Sequence, residues 1–362
     1  MPAVTRPDGT QHPIVVPDDA FRVLITGFGP FLNYEENPSW LAVKPLQNAI
    51  LYTDLLPDAL VTRPQHTLSS SLITSSYVTE QSQDPALEAS QPKPIHVTTL
   101  KVPVVYDSVL SIVPGLHARP PVLPENAPPD CAEPPDSNYD FIFHIGVAGR
   151  GPLRMERIAH KLGYHMKDAT GKLAPAVRLS TKDFSRRGDG AGVMGVGGSA
   201  PGALGTIGGG GGGVSSAENM ERERLGMDMV ETGGDTIARP TRGFGVGYET
   251  FPEEITTDVD VTRLVHDLKH SGVEQIYTSM DAGHYLCDFI YYCSLAEVKR
   301  SSKPYEKRRH TQVLFLHCPP VNQPLSTEDV TDAIKRIVVW VCGQQQLHDA
   351  KDDTVIAAGV SG

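Results

Sequence analysis

A chain of 362 residues can hold one large domain or two ordinary ones, but its 30 prolines and 34 glycines are unevenly spread, so part of it lies outside any core. A net charge of −11, with no run of lysine or arginine, argues against nucleic acid or an anionic membrane as partner and favours a small substrate. Residues 1–20 lack a signal-peptide pattern and no apolar run reaches the roughly 18 residues of a membrane span. We therefore expect a soluble, cytoplasmic protein.

Five segments have the composition of buried strands, being rich in valine, isoleucine or phenylalanine and closed by glycine or proline. They are 21–28, 95–105, 141–146, 275–279 and 313–316. Helical patterns follow Asn37-Pro38, cover 258–268, and begin again at Ser326 with Asp329 three residues on. Apolar strands alternating with amphipathic helices predict an α/β fold, a three-layer α/β/α sandwich with a largely parallel, mixed central sheet.

Several segments do not fit this alternation and are predicted to lie outside the core. Polar or proline-rich composition predicts a flexible tail at 1–19 and disordered insertions at about 78–94, 118–138 and 184–242, in a single domain covering 20–345. Residues 346–362 are predicted to be a C-terminal tail. The last insertion contains six consecutive glycines, 208–213, but no strand precedes them and no helix follows, so a phosphate-binding loop is not supported.

The five cysteines, at positions 131, 287, 293, 318 and 342, include no C-x-x-C pair. Neither a disulfide framework nor a zinc site is supported by this spacing, so we expect reduced thiols, no metal and no cofactor.

The segment 279–292 is the best candidate for chemistry. A short strand and a turn at Asp281-Ala282-Gly283 precede a helical pattern, which places Cys287 in the first turn of a helix. Unpaired backbone N–H groups and the helix dipole favour a thiolate there, and the thiolate is the reactive form of cysteine. The alternative is that Cys287 is a small buried residue at the start of a helix.

A cysteine nucleophile also needs a base and a group that orients the base. His317 ends a predicted strand, and functional groups of parallel sheets gather beyond the carboxyl ends of the strands. From spacing alone, Glu156 is a guess for the orienting group, with an ion pair to Arg157 or Lys161 as the alternative. The rival bases are His144, His160 and His284.

Six blocks of sequence resemble the type I pyroglutamyl peptidases and occur in the same order as in that family. Their residues look most like those of the eukaryotic branch. These cysteine peptidases remove an N-terminal 5-oxoproline (pyroglutamyl) residue from peptides. The blocks are 23–31 with 37–40, 102–106, 144–149, 156–164, 279–292 and 315–320. The resemblance implies a nucleophile at Cys287, a catalytic histidine at His317 and an acidic triad member at Glu156.

The resemblance also implies a substrate pocket and a partner. The lactam ring would pack on Phe28 and Phe31 of the first loop, near Tyr285 and Leu286, and Val147 stands at a loop position where many bacterial members have glutamine. A flat, uncharged ring suits apolar walls with a few polar groups. The implied partners are peptides with N-terminal pyroglutamate, with no nucleic acid or membrane partner.

Two other functions remain open from the sequence. The same three residues could serve an amidohydrolase acting on another small lactam or amide. The chain could also be a non-catalytic binding module that keeps the fold, with the glycine-rich insertion or a partner blocking turnover. Nucleoside phosphorylases share this type of fold, but no phosphate or purine motif supports that use.

Overall fold

The computed structural model describes most of the chain outside two long segments. The described residues are 3–5, 11–13, 15–32, 34–53, 91–177, 241–301 and 310–359, with the backbone alone for 3–5, 11–13 and 351–359. Within these ranges, no helix combines the length and the apolar character needed to cross a membrane.

The described residues form eleven strands, five α-helices and a single 3₁₀ turn at Lys44–Leu46. The strands are β1 (Ala3–Thr5), β2 (Gln11–Pro13), β3 (Phe21–Phe28), β4 (Ile50–Tyr52), β5 (Pro94–Val102), β6 (Phe141–Val147), β7 (Leu153–Glu156), β8 (Ile158–His160), β9 (Glu254–Thr256), β10 (Ile276–Ser279) and β11 (Gln312–Cys318). The helices are α1 (Pro38–Val43), α2 (Tyr106–Leu116), α3 (Val261–His270), α4 (Leu286–Ser301) and α5 (Thr327–Gly359).

Seven of these strands make the central sheet, in the order β10-β7-β11-β6-β3-β5-β4. The four neighbours β11, β6, β3 and β5 are parallel, whereas β4 runs antiparallel to β5 at one edge. On the other side β7 is antiparallel to β11, and β10 pairs parallel with β7. The predicted fold class, with its largely parallel, mixed sheet, is confirmed.

Helices cover both faces of the sheet, which explains why the central strands are apolar along their whole length. Alternate residues of β3 enter two separate cores: Ile25 packs with residues of α1, α3 and α5, whereas Leu24 packs with residues of α2 and α4. These two faces are called the α5 face and the α4 face below.

The helix starts are set by the residues that the sequence singles out. The Asn37 side chain accepts a hydrogen bond from the Ser39 backbone N–H at 3.1 Å, and Pro38 opens α1. Ser326 and Asp329 exchange hydrogen bonds in front of α5, as a capping box does. These side chains satisfy backbone donors that a helix terminus leaves unpaired.

The prediction of a disordered insertion at 118–138 is wrong. Cys131 and Ala132 are buried in this loop, and the Asn48 side chain donates to the backbone oxygen of Asp130 at 2.8 Å. Proline-rich composition predicts that such a loop has no regular secondary structure, but it does not show that small apolar residues can anchor it to the core.

The predicted tails also contain secondary structure. Strands β1 and β2 pair antiparallel within 1–19, and α5 continues through 346–359, where Thr53 Oγ1 donates to the Gln346 side chain at 2.6 Å. The tail prediction for 346–362 is therefore wrong over most of its length. Of the predicted insertions 78–94 and 184–242, residues 78–90 and 184–240 lie outside the described residues.

Candidate active site

Two adjacent strands place a histidine and a glutamate on the α4 face. Phe315 of β11 lies opposite Glu156 of β7, and His317 follows two residues later on the same side of its strand. The His317 Nδ1–H donates to Glu156 Oε1 at 2.7 Å, and Glu156 is completely buried. Burial requires the carboxylate to have a partner, and the imidazole supplies one.

Cys287 approaches this pair from α4, whose first residue is Leu286. A Cβ atom placed on Gly146 would lie 2.8 Å from the Cys287 sulfur, so the thiol rests almost on the backbone of β6. Gly146 lies opposite His317 in the parallel pairing of β6 with β11. Since paired strands are about 4.8 Å apart, the sulfur lies over the strand next to that of the imidazole.

The predicted position of Cys287 in the first turn of a helix is confirmed, and the surroundings of its thiol act against the acidity predicted for a helix start. Cys287 as a whole is half-buried. Burial of its thiol nevertheless raises the pKa of that group, and the negative charge of Glu156 adds to this rise. The positive charge of Arg154 lowers the pKa by less. Desolvation therefore works against the thiolate that the helix terminus favours.

A buried carboxylate next to the cysteine fixes the start of α4. Asp288 accepts hydrogen bonds from the backbone N–H and Nδ1 of His160, both at 3.1 Å, and from the Tyr164 hydroxyl at 3.0 Å. Sequence reasoning did not assign a role to Asp288. The signal in the sequence was an acidic residue among the apolar residues of 279–292. Asp288 is completely buried, and a buried carboxylate requires hydrogen-bond partners.

The rival bases have other hydrogen-bond partners. His144 hydrogen-bonds to Thr26 Oγ1 at 2.7 Å, and burial lowers its pKa to about 3, so it is uncharged. His160 is bound to Asp288, and that hydrogen bond raises its pKa. His284 is exposed on the turn before α4. Of the histidines considered, His317 is the one hydrogen-bonded to Glu156.

The alternative reading of Glu156, as a surface carboxylate paired with Arg157 or Lys161, is wrong, because Glu156 is completely buried and hydrogen-bonded to His317. The Lys161 ammonium donates to the backbone oxygens of Glu249 and Phe251, at 3.1 and 2.9 Å. All five cysteines fall within the described residues, and Cys287 is the one that is not buried.

Four of the five predicted substrate-binding residues belong to the α4-face core. Phe28 and Leu286 are buried there, and the rings of Phe31 and Tyr285 lie 5.5 Å apart beside them. Val147 instead packs against the α5-face core, although it directly follows Gly146. Contact of these side chains with a lactam stays a prediction.

Tyr106 is an additional aromatic residue of this region to which sequence reasoning gave no role. Its ring meets that of Tyr285 edge to face at 6.1 Å, and its backbone N–H donates to Asp168. Burial raises the pKa of its hydroxyl, and the nearby Cys287 contributes to that rise.

Comparison with known proteins supports the resemblance read from the sequence. The chain is 31% identical over 91 residues to human pyroglutamyl-peptidase 1, covering 25% of this chain and 38% of the relative. The mouse pyroglutamyl-peptidase 1 is 31% identical over 96 residues, covering 26% and 41% of the two chains. No protein-family model matches. These similarities bear out the predicted resemblance to pyroglutamyl peptidases, and the chain spans about two fifths of the length of these curated relatives.

A solved structure, pyroglutamyl peptidase I from Bacillus amyloliquefaciens, is 18% identical and covers 90% of this chain and 95% of its own, with a TM-score of 0.47. The fold assignment rests on the strand order and the two covered faces of this chain itself.

Proposed function

We propose that the chain is a cysteine peptidase that hydrolyses the bond after an N-terminal pyroglutamyl residue. The observation that carries the proposal is the buried His317–Glu156 hydrogen bond on the strand beside Gly146, against which the Cys287 sulfur rests. The names of the curated relatives supply the reaction class. A cytoplasmic location remains a prediction.

The reaction starts with transfer of the Cys287 thiol proton to His317. The Cys287 sulfur attacks the pyroglutamyl carbonyl carbon as His317 removes the thiol proton. Backbone N–H groups at the start of α4 stabilise the oxyanion that forms. Glu156 holds the ring through Nδ1 and stabilises the positive charge that the imidazole gains.

The remaining steps return the enzyme to its resting state. The imidazolium of His317 donates its proton to the leaving amine, the carbon–nitrogen bond breaks, and a thioester of Cys287 remains. His317 then removes a proton from water, whose oxygen attacks the thioester, and the sulfur leaves with that proton. The products are pyroglutamate and the shortened peptide.

The aromatic residues of the α4 face account for the proposed choice of ring. Phe28, Phe31 and Tyr285 offer apolar surface for the methylenes of a neutral lactam. Proline presents a charged secondary amine in the same place, and desolvating that charge without a partner is unfavourable. We expect pyroglutamyl amides to be cleaved and prolyl amides to be refused.

The test measures turnover of fluorogenic pyroglutamyl and prolyl amides with the same leaving group at pH 7, using the full chain and the Cys287→Ala variant. Cleavage of the pyroglutamyl amide alone, lost in the variant, supports the proposal. Comparable turnover of both amides would favour a broader aminopeptidase. Binding of a pyroglutamyl peptide without turnover would favour the binding-module alternative.

A further inference from the structure

A cluster of potential metal ligands lies beside the catalytic residues and has no part in the mechanism above. His160, Asp281 and His284 each offer a nitrogen or a carboxylate oxygen, and these atoms lie within 4.8 Å of one another. Asp281 and His284 are exposed and His160 is half-buried, so an ion can reach them from solvent.

A second, independent feature points to a ligand at this place. The Nδ1–H of His160 donates to Asp288, a completely buried carboxylate, at 3.1 Å. This hydrogen bond sets the tautomer and leaves the lone pair of Nε2 free. Metal-binding histidines usually have such a carboxylate behind them, because it orients the ring and makes the free nitrogen more basic.

The backbone keeps the two sides of the cluster close together. Gly163 has φ +107, and a Cβ atom there would lie 3.0 Å from His284 Nδ1, so glycine lets the imidazole pack on the chain. Gly283 has φ +79, and its N–H donates to Asp281 Oδ1 at 2.8 Å. The hydrogen bond occupies one carboxylate oxygen of Asp281 and leaves the second for an ion.

We propose that His160, Asp281 and His284 bind a divalent transition-metal ion, with zinc the best match. Two imidazoles and one carboxylate are typical zinc ligands, and three of them leave a fourth position for water. Magnesium and calcium prefer all-oxygen sites and do not suit two imidazoles. The expectation of no metal came from cysteine spacing, which says nothing about histidines that folding brings together.

Binding at this site would join two parts of the fold next to the nucleophile. Asp281 and His284 lie on the turn that leads into α4, whereas His160 ends β8. The ion therefore ties the turn before Cys287 to β8 without using the Cys287 sulfur. The proposal does not depend on the peptidase activity.

The test is titration of the full chain with Zn²⁺ by calorimetry, carried out in a Cys287→Ser background because a thiol is itself a good zinc ligand. We expect one ion per chain, and binding at least tenfold weaker in both His284→Ala and Asp281→Asn. Both side chains are exposed, so these variants keep the fold, which a circular dichroism spectrum verifies. Without thiolate ligands, Co²⁺ bound at the site should lack a sulfur-to-metal charge-transfer band.

A matched control comes from a second histidine pair. His266 and His270 lie on exposed turns of α3, with ring centroids 4.2 Å apart, and among the described residues they belong to no cluster of three potential ligands. Replacing both by alanine should leave the tight binding unchanged. Three results would overturn the proposal. Zinc binding could be lost when His266 and His270 are replaced, could survive in His284→Ala and Asp281→Asn, or could be absent in the Cys287→Ser background.

Discussion

The Cys287 sulfur lies where Gly146 has no side chain, 2.8 Å from the position that a Cβ atom would take. The same Cβ would lie 2.7 Å from the buried ring of Phe315. We predict that Gly146→Ala displaces the thiol and lowers kcat/KM for the pyroglutamyl amide at least tenfold, because a misplaced nucleophile loses alignment with the carbonyl. Overpacking should also cost about 1–3 kcal/mol of stability, measured by urea unfolding.

Gly343→Ala is the control for this prediction. Gly343 lies within α5, and a Cβ atom there would meet nothing within 4 Å. Alanine should leave turnover unchanged and raise the stability by about 0.5–1 kcal/mol, since glycine is unfavourable inside helices. Wild-type turnover by Gly146→Ala would show that the thiol does not need the space above β6.

The roles proposed for Cys287 and His317 predict non-additive losses. Either Cys287→Ala or His317→Ala should remove nearly all turnover. The double variant should have about the same kcat/KM as the less active single variant, because the two residues act as one unit. Glu156→Gln should retain more activity, since the carboxylate orients the ring and transfers no proton. Independent multiplicative losses, measured as kcat/KM, would contradict this arrangement.

Buried, uncharged histidines should make the fold sensitive to mild acid. Burial lowers the pKa of His96 to about 4 and that of His117 to about 3, as for His144. The unfolded chain binds protons at these sites below about pH 6.5 and the folded chain does not, so stability is full above pH 6.5 and falls as the pH drops. Each histidine should lower the free energy of unfolding by about 1–2 kcal/mol between pH 7.5 and pH 5.

The measurement is the urea unfolding midpoint at pH 7.5 and pH 5. The hydrogen bond of His160 to Asp288 acts in the opposite direction, because it raises the pKa of His160. We expect the midpoint to fall on balance, and to fall less in His117→Gln than in His266→Gln, whose imidazole is exposed. Equal pH dependence in the two variants would exclude His117 as a source of the effect.

The segment 178–240 should be removable without loss of the fold. The chain enters and leaves it at neighbouring positions, since the Val177 N–H donates to the Thr241 oxygen at 2.8 Å and Ala176 pairs with Arg242. A hairpin loop of about four glycines and serines can connect such positions. Loop length enters the closure cost only logarithmically, so the melting temperature should be equal or slightly higher. Unfolding of the deletion variant would show that the segment packs into the core.

The sequence predicted the parts of this structure that local patterns determine. Strand composition located β3 and β6 almost to the residue, and Asn37 and Ser326 marked helix starts through their own side chains. Cys287 and His317 could be singled out because each ends or begins a regular element.

Long-range packing determined what the sequence did not predict. The burial that raises the pKa of Cys287 depends on strands far away in the chain, as does the convergence of His160 with His284. The loop at 118–138 is held by Asn48, whose hydrogen bond to Asp130 no local pattern indicates.

The position of β11 has a consequence for synthesis of the protein on the ribosome. β6 and β7 are consecutive along the chain, yet in the sheet β11 lies between them and pairs with both. Until residues 312–318 leave the exit tunnel, the apolar edge of β6 that β11 will cover has no pairing strand. The sheet can therefore be completed only after residues 312–318 have emerged, and until then the chain carries an unpaired edge that invites association with other chains.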